Sequence, residues 1–126
     1  MTVSSARQTP PVTACVVEDH VQLREQIVAL LASAGVEVLA AVGSVAEGSK
    51  AVCHHLPTVA VIDNQLPDGR GIDLCRALTA AAPGVRLLLH TGVVTVDDER
   101  EARAAGAEAV IPKSIRGLEL LQAIGA

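Results

Sequence analysis

Apolar and polar positions along the chain switch repeatedly between two periods. Residues 12–17 (VTACVV) form a short, nearly unbroken apolar run, the pattern of a strand covered on both faces. Leu23, Ile27, Leu30, Leu31 and Ala34 then recur at helical spacing, with Gln22, Arg24, Glu25 and Gln26 between them and Gly35 as the stop. Residues 36–42 (VEVLAAV) predict a second strand. Ser44 and Glu47 make a capping box that opens a helix to about Leu56. Residues 58–62 (TVAVI) read as a third strand. The turn-rich run Pro67-Asp68-Gly69-Arg70-Gly71 leads into a helix that continues to about Ala82, where Pro83-Gly84 breaks it. Residues 85–89 (VRLLL) predict a fourth strand. Thr95 and Asp98 cap a polar helix ending at Gly106, residues 107–111 form a fifth strand, and Ile115, Leu118, Leu121 and Ile124 mark a last helix.

Strands alternating with helices in this way predict an α/β fold, a doubly wound parallel sheet with helices on both faces and right-handed crossovers. Such sheets bind ligands outside the carboxyl ends of their strands. The first strand runs out into Glu18-Asp19, the third into Asp63, the fourth through His90 to Thr91, and the fifth through Pro112 to Lys113. Three carboxylates, a hydroxyl and an ammonium therefore converge on one rim. Crowded carboxylates resist joint ionisation, and Lys113 neutralises only one of them. A hard divalent cation resolves the conflict, and Mg²⁺ favours one or two carboxylates with waters and phosphate oxygens. Singly, each residue has a plainer reading. Asp19 could cap the helix near Val21, Asp63 could start an Asx-turn, Thr91 could be a loop hydroxyl and Lys113 a solvated lysine. Their joint placement at four strand ends carries the signal.

Composition narrows the field. Half of the 126 residues are apolar, yet Phe, Tyr and Trp are absent, so the core is built from small and branched aliphatics. Ring platforms for single-stranded nucleic acid are excluded. Ten basic against fourteen acidic residues argue against phosphate-backbone binding by this segment. No apolar run approaches the ~20 residues of a membrane span. Length fits one domain over residues 12–126, behind a disordered leader over residues 1–11. Cys15, Cys53 and Cys75 show no CxxC spacing and read as free thiols of a reducing, cytoplasmic setting. His54 and His55 beside Cys53 point in diverging directions on a helix and read as a solvated face.

From Val12 to Gly125 the chain resembles the receiver domain of bacterial two-component response regulators. Glu18-Asp19 resembles the family's acidic pair, and Asp63-Asn64-Gln65-Leu66-Pro67-Asp68-Gly69-Arg70-Gly71 its phosphoacceptor strand end and following loop. Thr91-Gly92 resembles the switch hydroxyl with its small neighbour, and Lys113 the family lysine. VVEDH and GAEAVIPKS look most like the branch with a C-terminal LuxR-type helix-turn-helix output. The resemblance implies the flavodoxin-like receiver fold with strand order 2-1-3-4-5. It also implies phosphoryl transfer from a sensor histidine kinase onto Asp63, with Thr91 and Lys113 contacting the phosphoryl oxygens. Mg²⁺ would be held by Asp19, Asp63 and the Gln65 backbone carbonyl, with Glu18 acting through water. The domain is then a self-catalysing phosphoacceptor and not an enzyme with an external substrate. It would homodimerise on phosphorylation and touch DNA only through an output domain outside this segment.

The sequence departs from the family pattern in three places. Val110 stands where an aromatic is usual, Ser114 follows Lys113 where Pro is frequent, and Glu18 replaces the commoner Asp. A phosphatase of the haloacid-dehalogenase type would need an acid two residues after Asp63, where this chain has Gln65. A degenerate receiver that only docks partners would keep the fold but lose rim residues, and all are present; a stand-alone receiver acting by docking is the alternative to the front part of a longer regulator.

Overall fold

The core strands are short because each is a β-branched or aliphatic run cut off by a charged or turn-forming residue at its carboxyl end. The computed structural model describes residues 11–114 and 116–125; residues 1–10 of the expected leader, Ile115 and Ala126 lie outside them. Among the described residues the main elements are β1 (Thr13–Val17), α1 (Val21–Ser33), β2 (Glu37–Val42), α2 (Val45–His55), β3 (Val59–Asp63), α3 (Gly71–Ala81), β4 (Arg86–Thr91), α4 (Val96–Ala104), β5 (Ala109–Pro112) and α5 (Leu118–Ile124). The sheet is parallel throughout, in the order β2-β1-β3-β4-β5. This is the doubly wound α/β arrangement that the sequence predicts.

Alternating side chains divide the core into two layers. Cys15, Val17, Ala60, Ile62, Leu87, Leu89 and Val110 pack beneath α2, α3 and α4. Ala14, Val16, Val59, Val61, Leu88 and Ile111 pack beneath α1 and α5. Both faces of β1 and β3 are covered, which is why their sequences show no polar alternation. Strand β2 is an edge and stays half-exposed.

Helix ends follow local chemistry. Ser44 Oγ accepts from Glu47 N at 3.1 Å, the first half of the expected capping box, while Glu47 Oε1 accepts from Gly43 N, one residue before the cap. Thr95 Oγ1 likewise accepts from Asp98 N. The cap of α1 is His20, whose Nδ1 accepts from Leu23 N at 3.2 Å, so Asp19 is not needed there. The turn-rich run after β3 contains a ribbon that the sequence does not announce, Gln65–Leu66 paired antiparallel with Gly69–Arg70. Gly71 closes this loop against the strand. A Cβ there would collide with the Asp63 carbonyl oxygen, so no other residue fits without moving the backbone.

Cys15 and Cys75 are buried, with the Cys75 thiol pushed up to about 12 by burial, while Cys53 is exposed. All three are free. No helix among the described residues is long and apolar enough to cross a membrane.

Candidate functional site

The pleat that builds the α1/α5 layer of the core also aims the polar side chains at the strand ends. Val16, Val61, Leu88 and Ile111 all face that layer. Two residues further along each strand, and therefore on the same face, stand Glu18, Asp63, His90 and Lys113. The ladder extends far enough to hold this phase. Glu18 N donates to the Val42 carbonyl at 2.9 Å, Lys113 N donates to the Thr91 carbonyl at 2.7 Å, and Asp63 pairs with His90 in register.

Lys113 Nζ lies 3.1 Å from Glu18 Oε1 and 3.3 Å from Asp63 Oδ1. Reaching Asp63 from β5 means crossing the intervening strand β4, so the lysine stem passes the His90 position. Glu18 is 2% exposed and Asp63 5%, so both carboxylates are largely withdrawn from water. The other Glu18 oxygen, Oε2, accepts from His20 N at 3.1 Å. Oε1 is a buried atom without a well-aligned hydrogen bond, since its lysine contact is one of charge and distance. Burial raises the Glu18 pKa and outweighs the lowering by the His20 amide and Lys113. Burial alone would lower the Lys113 pKa; Glu18 and Asp63 together outweigh it, and the net direction is upward.

Asp19 completes the cluster from the exposed side, and its side chain makes no ion pair or hydrogen bond among the described residues. One carboxylate oxygen from each of Glu18, Asp19 and Asp63 lies within 4.8 Å of the others. Three carboxylates facing one ammonium leave the group net negative, a donor set that fits a hard divalent cation. These residues line an open cleft of about 670 Å³ whose other wall includes Gln65, Leu66 and Pro67. Thr91 is placed differently. It sits half-buried at the end of β4, paired with Pro112, and is not among the residues lining the cleft. Beyond it Gly92 is exposed, with open space where a Cβ would be.

Sequence reasoning passes over two residues that the structure brings forward. His90 reads as the run-out of a strand, yet it is 4% exposed, its Nδ1 has no hydrogen-bond partner, and burial, with Lys113 adding to it, pushes its pKa down to about 4. Its phase, two residues after Leu88, is the signal that marks it. Asp68 reads as a turn residue, yet its carboxylate reaches the start of α2. Nothing local in the sequence shows that contact.

Comparison with known proteins decides the family. The pattern of the response regulator receiver domain matches residues 14–125. The chain belongs to the response regulator receiver family. This receiver domain is 40% identical over 109 residues to the DNA-binding transcriptional activator DevR/DosR of Mycobacterium tuberculosis, covering 86% of the chain and 50% of the activator. It spans about half the length of the curated relatives it matches. Among solved structures, a two-component response regulator of the LuxR family from Aurantimonas sp. SI85-9A1 superposes with a TM-score of 0.87 at 27% identity, over 92% of this chain and 84% of that one. The signal receiver domain of the putative response regulator NarL from Mycobacterium tuberculosis gives a TM-score of 0.84 at 24% identity, over 94% and 99%. The branch resemblance read from VVEDH and GAEAVIPKS agrees with these neighbours.

Proposed function

We propose that this receiver domain accepts a phosphoryl group on Asp63 from a phosphohistidine of a sensor kinase. The observation that carries the reading is the buried Asp63 carboxylate at a strand end, 3.3 Å from the Lys113 ammonium, with the Glu18 and Asp19 oxygens beside it. An Asp63 oxygen forms the new O–P bond as the P–N bond of the donor breaks, and the electron pair leaves with the imidazole nitrogen, which takes up a proton. Lys113 turns its ammonium from carboxylate to phosphoryl oxygen, a charge-assisted hydrogen bond. Thr91 donates its hydroxyl to a second oxygen once the strand end moves inward. Asp19, Asp63 and the Gln65 carbonyl would hold Mg²⁺, with Glu18 acting through water. When bound, the cation neutralises charge on the phosphoryl oxygens. Gly92 leaves room for the incoming group.

On this reading the domain is a phosphoacceptor that helps catalyse its own modification, and not an enzyme with an external substrate. We place it in the cytoplasm, in a longer regulator that homodimerises on phosphorylation and whose output segment binds DNA. The similarity to a DNA-binding activator supports that output. The test is direct. With Mg²⁺ and acetyl phosphate the intact protein gains the mass of one phosphoryl group, and Asp63→Asn does not. Undiminished uptake by that variant would remove Asp63 from the role.

A further inference from the structure

We propose that Asp68 is a positioning residue for the cleft: by clasping the first turn of α2, its carboxylate holds the Gln65–Leu66 ribbon in place as the cleft wall. The proposal rests on the phosphoacceptor reading of that cleft.

A helix leaves its first N–H groups without intrahelical partners. In α2 the N–H groups of Val45, Ala46 and Glu47 are all satisfied by side chains. Glu47 N goes to Ser44 Oγ, as the local capping box dictates. Val45 N donates to Asp68 Oδ1 at 2.7 Å and Ala46 N to Asp68 Oδ2 at 3.0 Å, across sequence separations of 23 and 22 residues. Both carboxylate oxygens are used, so the contact fixes orientation as well as distance. It is charge-assisted and sits at the positive end of a helix.

Asp68 lies in the turn that joins the two arms of the ribbon. Holding the turn therefore holds Gln65 and Leu66. The two sides also pack together. Val45 and Leu66 rest on the same core layer, and a Cβ on Gly69 would stand 3.3 Å from Val45 Cγ2. The far ends of the loop have their own anchors. Asn64 Oδ1 accepts from Ile72 N at 3.1 Å, and Gly71 N donates to the Asn64 carbonyl at 2.9 Å. Neither anchor reaches the turn.

Ser44 provides the matched control, since Ser44→Ala removes a cap from the same helical turn without touching the ribbon. In the full chain, Asp68→Ala is expected to weaken Mg²⁺ binding about tenfold, the effect usual for losing a residue that orients a ligand, while Ser44→Ala stays within about twofold. Without metal, amide exchange at Gln65 and Leu66 should rise about tenfold in Asp68→Ala and stay unchanged in Ser44→Ala. Asp68→Asn, which keeps one acceptor oxygen, should fall between wild type and Asp68→Ala. Equal effects of Asp68→Ala and Ser44→Ala in both measurements would reduce Asp68 to a helix cap and overturn the proposal. Wild-type protein that takes up no phosphoryl group would overturn the phosphoacceptor reading instead, and exchange at Gln65 and Leu66 would still decide the clasp.

Discussion

His90 shows how one buried side chain ties stability to pH. A free imidazole protonates below about pH 6.5, whereas His90, enclosed and facing Lys113 and Asp63, holds off to about 4. Between those values the unfolded chain takes a proton that the native state refuses. Stability therefore falls as pH drops through this window, by up to about 3 kcal/mol. Glu18 acts in the opposite sense, because its raised pKa favours the fold as acid is added. Comparing wild type with His90→Leu isolates the imidazole. Urea unfolding at a series of pH values should show a flatter decline for the variant between pH 6.5 and 4. Parallel curves would mean that His90 is not the group responsible.

The carboxylates at the cleft divide by what already holds them. Glu18 is engaged by Lys113 and the His20 amide, while Asp19 is exposed and unpaired among the described residues. Asp19→Asn should therefore weaken Mg²⁺ binding more than Glu18→Gln in a titration followed by NMR. The reverse order would exchange the two roles.

At the scale of elements, α4 stands apart. Ala102 is its one buried residue, and its first turn carries Asp97, Asp98 and Glu99, which suit the helix dipole but bury nothing. Its attachment to the loop after Asp63 is polar. Arg70 Nη2 donates to Glu101 Oε2 at 2.7 Å, and the same guanidinium holds Asp73. A helix held this lightly opens at low cost and is the natural element for the proposed phosphoryl transfer to Asp63 to bias. Val110, 9% exposed and short, has no long rotor with which to relay a change along β5. Binding of a phosphate mimic such as beryllofluoride should thus alter hydrogen exchange most between Thr91 and Gly106. Thr91→Ala should blunt that response and leave Asp63 phosphorylatable. Changes confined to residues 63–71 would show that the signal leaves by another route.

Over the whole molecule, the parts legible in the sequence are those fixed by local pattern. Five apolar runs mark the strands, Ser44 and Thr95 mark helix starts, and charged residues at the run ends mark the rim. Boundaries shift where the environment, not the residue, decides. Val36 is apolar and buried but lies outside β2, which begins at Glu37, and the fourth strand extends through His90 and Thr91 because Asp63 and Pro112 pair with them. The Asp68 clasp and the Arg70–Glu101 tie join residues 22 to 31 positions apart, and contacts of that kind leave no periodic trace in a single chain.

Because Glu18, Asp63, His90 and Lys113 share the pleat with Val16, Val61, Leu88 and Ile111, the polar row at the strand ends and one core layer are written in the same frame. Inserting or deleting one residue within β1, β3, β4 or β5 turns that strand's contribution to the opposite layer. It would carry a charged or polar side chain into the aliphatic packing under α2 to α4 and strip an aliphatic from beneath α1 or α5. The site and the core therefore cannot be edited separately along the strands. Changes of length are confined to the turns at the opposite rim, such as the exposed Pro83-Gly84, so descent can vary the spacing between strands but not the step from core to chemistry.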